Sequence, residues 1–202
     1  MLVLIHPRSL QNWKPPVGQL FKLNFDAAIF ENGSGVGAVI RNAAGEVMTA
    51  LSARGEAVAD SEEAEVRACR KELEFAIDAR FSELMVEGDN SVVMSTIFAN
   101  KPNWSRLGVI YVDIGFSAAG LSYVYFSCIR RNANLVAHSL ARYANGLVEE
   151  VVWLEDSPPP ALDALYFDLS FLNEWSLHGF SKKKKLYCIT YVSSLFWFVV
   201  DQ

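Results

Sequence analysis

Asp26, Glu65 and Asp89 are acids that three separate elements can aim at one point. Asp26 closes the strand-like run Leu20-Phe21-Lys22-Leu23-Asn24-Phe25-Asp26, Glu65 opens an amphipathic helix, and Asp89 ends Leu84-Met85-Val86-Glu87-Gly88-Asp89. Carboxylates from three elements are the raw material of a divalent-metal site. Two ions ~4 Å apart, bridged by such groups, activate a water and stabilise a leaving oxyanion in phosphodiester cleavage. Magnesium suits this work because it prefers oxygen ligands and keeps waters for a substrate to displace. Each acid also has a plainer reading. Asp26 can end a strand and begin a turn, and Asp89 can be the N-cap of the helix that follows. Glu62, Glu63 and Glu65 all fall where the helix dipole favours acids, and the helical wheel does not choose between Glu62 and Glu65.

A fourth group lies in Arg130-Arg131-Asn132-Ala133-Asn134-Leu135-Val136-Ala137-His138, which puts His138 just inside the last helix, directly after the last strand. A neutral imidazole there can ligate a metal or shuttle a proton; an ordinary polar contact is the alternative. Arg130 and Arg131 form a local basic pair that can meet a phosphate or simply face solvent.

The elements that must position these groups are readable from periodicity. Phe21, Leu23 and Phe25 alternate with Lys22, Asn24 and Asp26, as in a half-buried strand. Glycine-bearing turns then lead to strands at Val36–Arg41 and Glu46–Ala53, giving an antiparallel meander. From Asp60 to about Arg80 apolar residues recur at three- and four-residue steps, with Asp60 and Glu63 as a capping pair. A strand over Glu83–Glu87, a helix starting near Asp89, a helix over Trp104–Ala119, a strand over Ser122–Ile129 and a helix over Asn132–Asn145 complete the order βββαβααβα. A meander followed by βα crossovers implies an α/β fold with a five-stranded mixed sheet flanked by helices. Residues 1–17 read as an extended lead-in, 18–160 as the domain, and 161–202 as a C-terminal extension.

Length and composition bound the function. The 202 residues suffice for one α/β domain. The net charge of −5 argues against a general nucleic-acid glue, though bound metal ions change the local field at a site. Cys69, Cys128 and Cys188 are scattered, which speaks against zinc and against a disulfide framework. The start, Met1–Pro7, lacks the basic region of a signal peptide, so an intracellular protein, nuclear or cytoplasmic, is expected. Lys182–Lys185 precede an uncharged aromatic-rich stretch, Leu186–Val200, shorter than the ~17–25 residues of a spanning helix. It reads as an appended extension, with a membrane-interfacial or tail-anchor segment as the alternative.

Four ordered motifs carry a resemblance. They are Lys22-Leu23-Asn24-Phe25-Asp26-Ala27-Ala28 with Gly35-Val36-Gly37-Ala38-Val39-Ile40-Arg41-Asn42, then Ala64-Glu65, then Val86-Glu87-Gly88-Asp89-Asn90, then Asn134-Leu135-Val136-Ala137-His138-Ser139-Leu140-Ala141. From about Trp13 to Pro160 the chain resembles the ribonuclease H type 1 family, particularly its plant reverse-transcriptase-like branch related to retroelement ribonucleases H. The resemblance implies a ribonuclease H-like fold and endonucleolytic cutting of the RNA strand of an RNA–DNA hybrid with two Mg2+ ions, Mn2+ being a possible substitute. It implies that Asp26 binds both metals, Glu65 one, and Asp89 is a further ligand; the choice of Glu65 over Glu62 comes from the family. His138 stands where many relatives carry a fourth aspartate. Asn24, Arg130, Arg131 and Asn134 are the residues expected to face nucleic acid, and a monomer is expected. Ala27 replaces a glycine common after the first aspartate, and a basic, tryptophan-bearing handle is missing. These departures leave a second reading, a weak or inactive module of the same fold that binds nucleic acid or a protein partner.

Overall fold

The computed structural model describes residues 11–99, 104–179, 186–191 and 194–199, with side chains as far as Phe171. Its centre is a six-stranded mixed sheet whose strands lie in the order Tyr123–Cys128, Glu83–Gly88, Phe21–Phe30, Gly33–Arg41, Val47–Gly55 and Val151–Leu154. Strands β1 (Phe21–Phe30), β2 (Gly33–Arg41) and β3 (Val47–Gly55) form the expected meander. After helix α1 (Ser61–Asp78) come β4 (Glu83–Gly88), α2 (Ser91–Ala99), α3 (Gly108–Ala119), β5 (Tyr123–Cys128) and α4 (Leu135–Tyr143). β4 pairs in parallel with β1 and β5, while β1/β2 and β2/β3 are antiparallel. The element order read from the sequence is therefore the order in the fold.

Two layers of helix cover the sheet. Leu23, Phe25, Ala38 and Ile40 face α1, α2 and α3, packing on Val66, Cys69, Leu73, Val93 and Ile114. Val39 and Ala50 face the other way, onto Val136 and Leu140 of α4. Helix α4 comes close enough to β2 that a Cβ at Gly35 or Gly37 would collide with Ala141, so glycine there is a packing requirement. The N-terminus of α1 closes as expected: the Asp60 side chain accepts from the Glu63 N–H (2.8 Å), and Glu63 reaches back to the Ala59 N–H (3.1 Å).

The differences lie at the edges of elements. β1 does not close at Asp26 but runs on to Phe30, because β2 keeps pairing with it through Phe30↔Gly33. The helix expected from Trp104 begins at Gly108, and Trp104 is 96% exposed. The expected helix over Asn132–Asn145 divides into a short 3-10 turn, Arg131–Ala133, and α4. The sheet has a sixth strand, β6 (Val151–Leu154), antiparallel to β3, where five were expected. Its apolar run abuts the prolines that read as the end of the domain. Beyond them α5 (Leu162–Gly179) follows, and Ala161, Ala164 and Leu165 join the α4-side core. On the other side of the expected 18–160 unit, Trp13 is also buried. Strands β7 (Leu186–Tyr191) and β8 (Ser194–Val199) form a separate two-stranded sheet, and Lys182–Lys185 lie outside the described residues. Among the described residues no helix is long and apolar enough to cross a membrane.

Candidate metal centre

The ladder between β1 and β4 ends at Asn24↔Glu87. Beyond that rung the strands part, and this is the point in the sheet where successive connections leave in opposite directions, the place where open α/β sheets collect ligands. Asp26 stays on β1, paired with Gly37 of β2, and points into the cleft. Asp89 follows β4 directly. Gly88 lets that strand end lie against Phe25, since a Cβ there would meet the Phe25 ring at 2.6 Å. Glu65 comes from the first turns of α1, which crosses the sheet above the same spot. Ligand oxygens of Asp26, Glu65 and Asp89 all lie within 4.8 Å of one another.

The plainer readings of Asp26 and Asp89 fail on local geometry. Asp26 begins no turn, because it sits in mid-strand. Asp89 does not cap α2; the Asn90 side chain does, accepting from the N–H groups of Val92 (3.1 Å) and Val93 (3.2 Å). Glu62, which the helical wheel could not separate from Glu65, accepts a hydrogen bond from the Tyr111 hydroxyl (2.9 Å). Glu65 alone of the two turns into the cleft.

Electrostatically the cluster is short of positive charge. Burial, and then the neighbouring charges of Asp26 and Asp89, push the Glu65 carboxyl up to about 9, against a pull from the Ala27 N–H. Asp89 is raised as well, first by burial and then by Asp26, with Arg131 and His138 opposing. One Glu65 oxygen, Oε2, is buried without a hydrogen-bond partner. An orphaned carboxylate oxygen beside two further acids is an oxygen-only donor set, which fits a hard divalent cation such as Mg2+ or Mn2+.

His138 flanks this set. Its Nδ1 lies 2.6 Å from Asp26 Oδ2, and an Arg131 guanidinium nitrogen lies 3.2 and 3.4 Å from its two ring nitrogens. An open pocket of ≈ 360 Å³ runs beside it, floored by Ala27–Phe30 and walled by Arg131, His138, Arg142 and Asn145. Arg142 was missed in the sequence; its only signal is its position one turn after His138. The four residues expected at nucleic acid divide. Arg131 is exposed beside the site and Arg130 is exposed next to it. Asn24 and Asn134 are buried. Asn24 is fully enclosed, with both ends of its amide engaged by Trp13 and Glu87. Asn134 donates to the Phe25 carbonyl (2.8 Å), tying the start of α4 to β1 beside Asp26.

A family model described as reverse transcriptase-like matches residues 24–144, the stretch that carries all four residues of the centre. No curated protein matches the chain. Among solved structures, the fold is similar to RNase H1 from the halophilic archaeon Halobacterium salinarum, with a TM-score of 0.57 and 23% identity over 62% of this chain and 96% of that one. It is similar to the N-terminal RNase H domain of a Mycobacterium tuberculosis protein, with a TM-score of 0.56 and 22% identity over 62% and 93%. It is similar also to LC11-RNase H1, from compost, in complex with an RNA/DNA hybrid, with a TM-score of 0.54 and 21% identity over 61% and 95%. These likenesses establish a ribonuclease H-like fold.

Proposed function

The chain belongs to the reverse transcriptase-like family, and from that membership and the convergence of Asp26, Glu65 and Asp89 we propose that it is a metal-dependent endoribonuclease cutting the RNA strand of RNA–DNA hybrids. The observation that carries the proposal is the approach of three acids to within 4.8 Å with Glu65 Oε2 left unpartnered. A protein gains nothing in stability from that arrangement without a cation to receive it. The hybrid held by LC11-RNase H1 supports the substrate class by analogy of fold.

Asp26, Glu65 and Asp89 would hold two divalent ions, Mg2+ or in its place Mn2+, which when bound supply an activated water and a counter-charge for the leaving oxygen. The chain's own groups do the positioning. Asp26 projects from a strand paired with β2, so its carboxylate is set by the sheet rather than by a loop. His138 fixes Asp26 Oδ2 through Nδ1 and can carry a proton on its other ring nitrogen, Nε2. Arg131 and Arg130, exposed beside the site, are proposed to meet the sugar–phosphate backbone of a bound strand. The chain's charge of −5 makes the grip depend on these two local cations, so hybrid binding should weaken only modestly with salt. The folded unit is proposed to reach beyond 18–160, to Trp13 and Asp168.

A labelled RNA–DNA hybrid incubated with Mg2+ should be cut in its RNA strand, with duplex DNA left whole, and Asp26→Asn should abolish the cutting. Pure wild-type protein that cuts nothing across Mg2+ and Mn2+ sinks the proposal. That outcome selects the second reading, a binding module, which the His138–Asp26 contact favours because it engages an oxygen that a metal-ready carboxylate would keep open.

A further inference from the structure

One pleat below the carboxylates lies a buried polar cluster that the proposed chemistry does not use. Asn24 precedes Asp26 by two residues on the same face of β1, and Glu87 precedes Asp89 by two residues. Asn24 Nδ2 donates to Glu87 Oε2 (3.0 Å), a side-chain bridge laid across the final rung of the β1/β4 ladder. Above that rung the strands separate into the cleft. The bridge therefore sits at the point that sets their angle of divergence, and with it the separation of Asp26 from Asp89.

Both ends of the bridge are locked by distant segments. Asn24 Oδ1 accepts from Trp13 Nε1 (2.9 Å) and from Arg41 Nη2 (3.3 Å). Arg41 stacks on the Trp13 ring, 3.6 Å from its centroid, and its Nη1 is 2.7 Å from Asp168 Oδ2 of α5. On the far side Glu87 Oε1 is 2.7 Å from Lys22 Nζ, which also donates to the Lys14 carbonyl (2.7 Å). Trp13, Lys22, Asn24, Arg41, Glu87 and Asp168 are all buried. Two cations meet two anions, so the charges of the network balance, while Arg41 Nε and Asp168 Oδ1 have no hydrogen-bond partner.

We propose that Asn24 and Glu87 are positioning residues for the metal centre, and that the N-terminal arm and α5 act through them: Trp13, Arg41 and Asp168 hold the Asn24–Glu87 bridge, and the bridge holds Asp26 and Asp89 at metal-sharing distance. The proposal rests on the metal-centre reading above. It also assigns a task to segments on both sides of the family-matched residues 24–144.

Two substitutions in the full-length chain test it. Trp13→Phe keeps a ring under Arg41 but removes the donor to Asn24. Glu87→Gln keeps the size but offers one acceptor where Lys22 and Asn24 each need one. Ile114→Val, in the core of α3 away from the site, is the control for a loss of stability alone. Mn2+ binding measured by calorimetry, with folding checked by urea unfolding, should weaken about fivefold in both variants, the equivalent of one hydrogen bond. It should stay unchanged in Ile114→Val. The metal concentration for half-maximal hybrid cleavage should rise in parallel, with KM for the hybrid unaltered. Folded variants that bind Mn2+ like the wild type, or an Ile114→Val loss equal to theirs, overturn the positioning role. A wild-type chain that binds Mn2+ yet cuts no hybrid overturns the proposed activity instead, and the calorimetric comparison still decides this inference.

Discussion

Two sets of carboxylates are withdrawn from water one pleat apart in this molecule, and only one of them is supplied with cations. Glu87 faces Lys22 and Asp168 faces Arg41, each pair at 2.7 Å. Asp26, Glu65 and Asp89 face one another, with His138 and Arg131 at their margin. Even in the paired set burial tells: it lifts Asp168 and lowers Arg41 against their mutual attraction. In the unpaired set it acts with the like charges and carries Glu65 to about 9. The contrast separates a network that organises the fold from a site that the fold tolerates at a cost. Glu87 and Asp168, which serve structure, are given cations inside the protein, whereas the three acids that converge on one cleft without them are set for a cation from outside.

The largest effect should come from breaking a pair. Asp168→Ala leaves the Arg41 guanidinium buried with no counter-ion, and should cost about 3–5 kcal/mol in urea unfolding. Replacing both members by apolar residues, Arg41→Met with Asp168→Leu, should return most of that loss, because the pair's own net worth is small. A double variant as unstable as the single one would mean that the Arg41 bond to Asn24 and its stack on Trp13 outweigh the ion pair in stability.

Removing an acid from the unpaired set should do the reverse. Glu65→Gln should stabilise the metal-free protein by on the order of 2 kcal/mol at pH 7. The sign follows from the direction of the shift. The Glu65 carboxyl is raised from 4.5 to about 9 in the fold, so its contribution is fully present below about 4.5 and is lost as pH rises through about 9. Thermal melts in chelator should show the wild type weakening across that window and Glu65→Gln weakening less. Mg2+ at a hundred times its Kd should raise wild-type stability by about 2.7 kcal/mol, and should do much less for the variant. Equal responses to Mg2+ would remove Glu65 from the metal centre.

The legibility of the molecule divides along the same line. β1 to β5 were readable because alternation and glycine turns are local, and α1 because its apolar residues recur at helical steps and its cap lies within four residues. The three acids were visible as acids at element ends, but the wheel could not choose Glu65; that choice came from the family resemblance, and in the fold Tyr111, far along the chain, engages Glu62. Nothing local marked Trp13, Arg41 and Asp168 as one cluster. Arg41 and Asp168 stand 127 residues apart, and a charged residue at a strand end reads as solvated until its partner is known. Asn24 was expected at nucleic acid for the same reason, since a polar residue two places from Asp26 carries no sign of which layer will cover it. β6 was lost because its apolar run is short and abuts prolines.

Glu72 gives the comparison its smallest and sharpest test. It lies two turns beyond Glu65 on the same buried stripe of α1, fully enclosed, and neither of its oxygens has a partner. Burial dominates its raised pKa, with Lys71 opposing and Glu150 adding. Its nearest acid along the stripe is Glu65, with the Cys69 thiol between them pushed up by burial and by both carboxyls. Burial favours the protonated form of a lone acid of this kind, and what then remains is the cost of hydrogen bonds not made. Glu72→Leu should therefore stabilise the protein by about 1 kcal/mol in urea unfolding, leaving Mn2+ binding and its pH dependence unchanged. A loss of metal affinity would extend the unpaired set down the helix and make Glu72 part of the centre. A loss of stability would mean that its oxygens are satisfied inside the fold, by water.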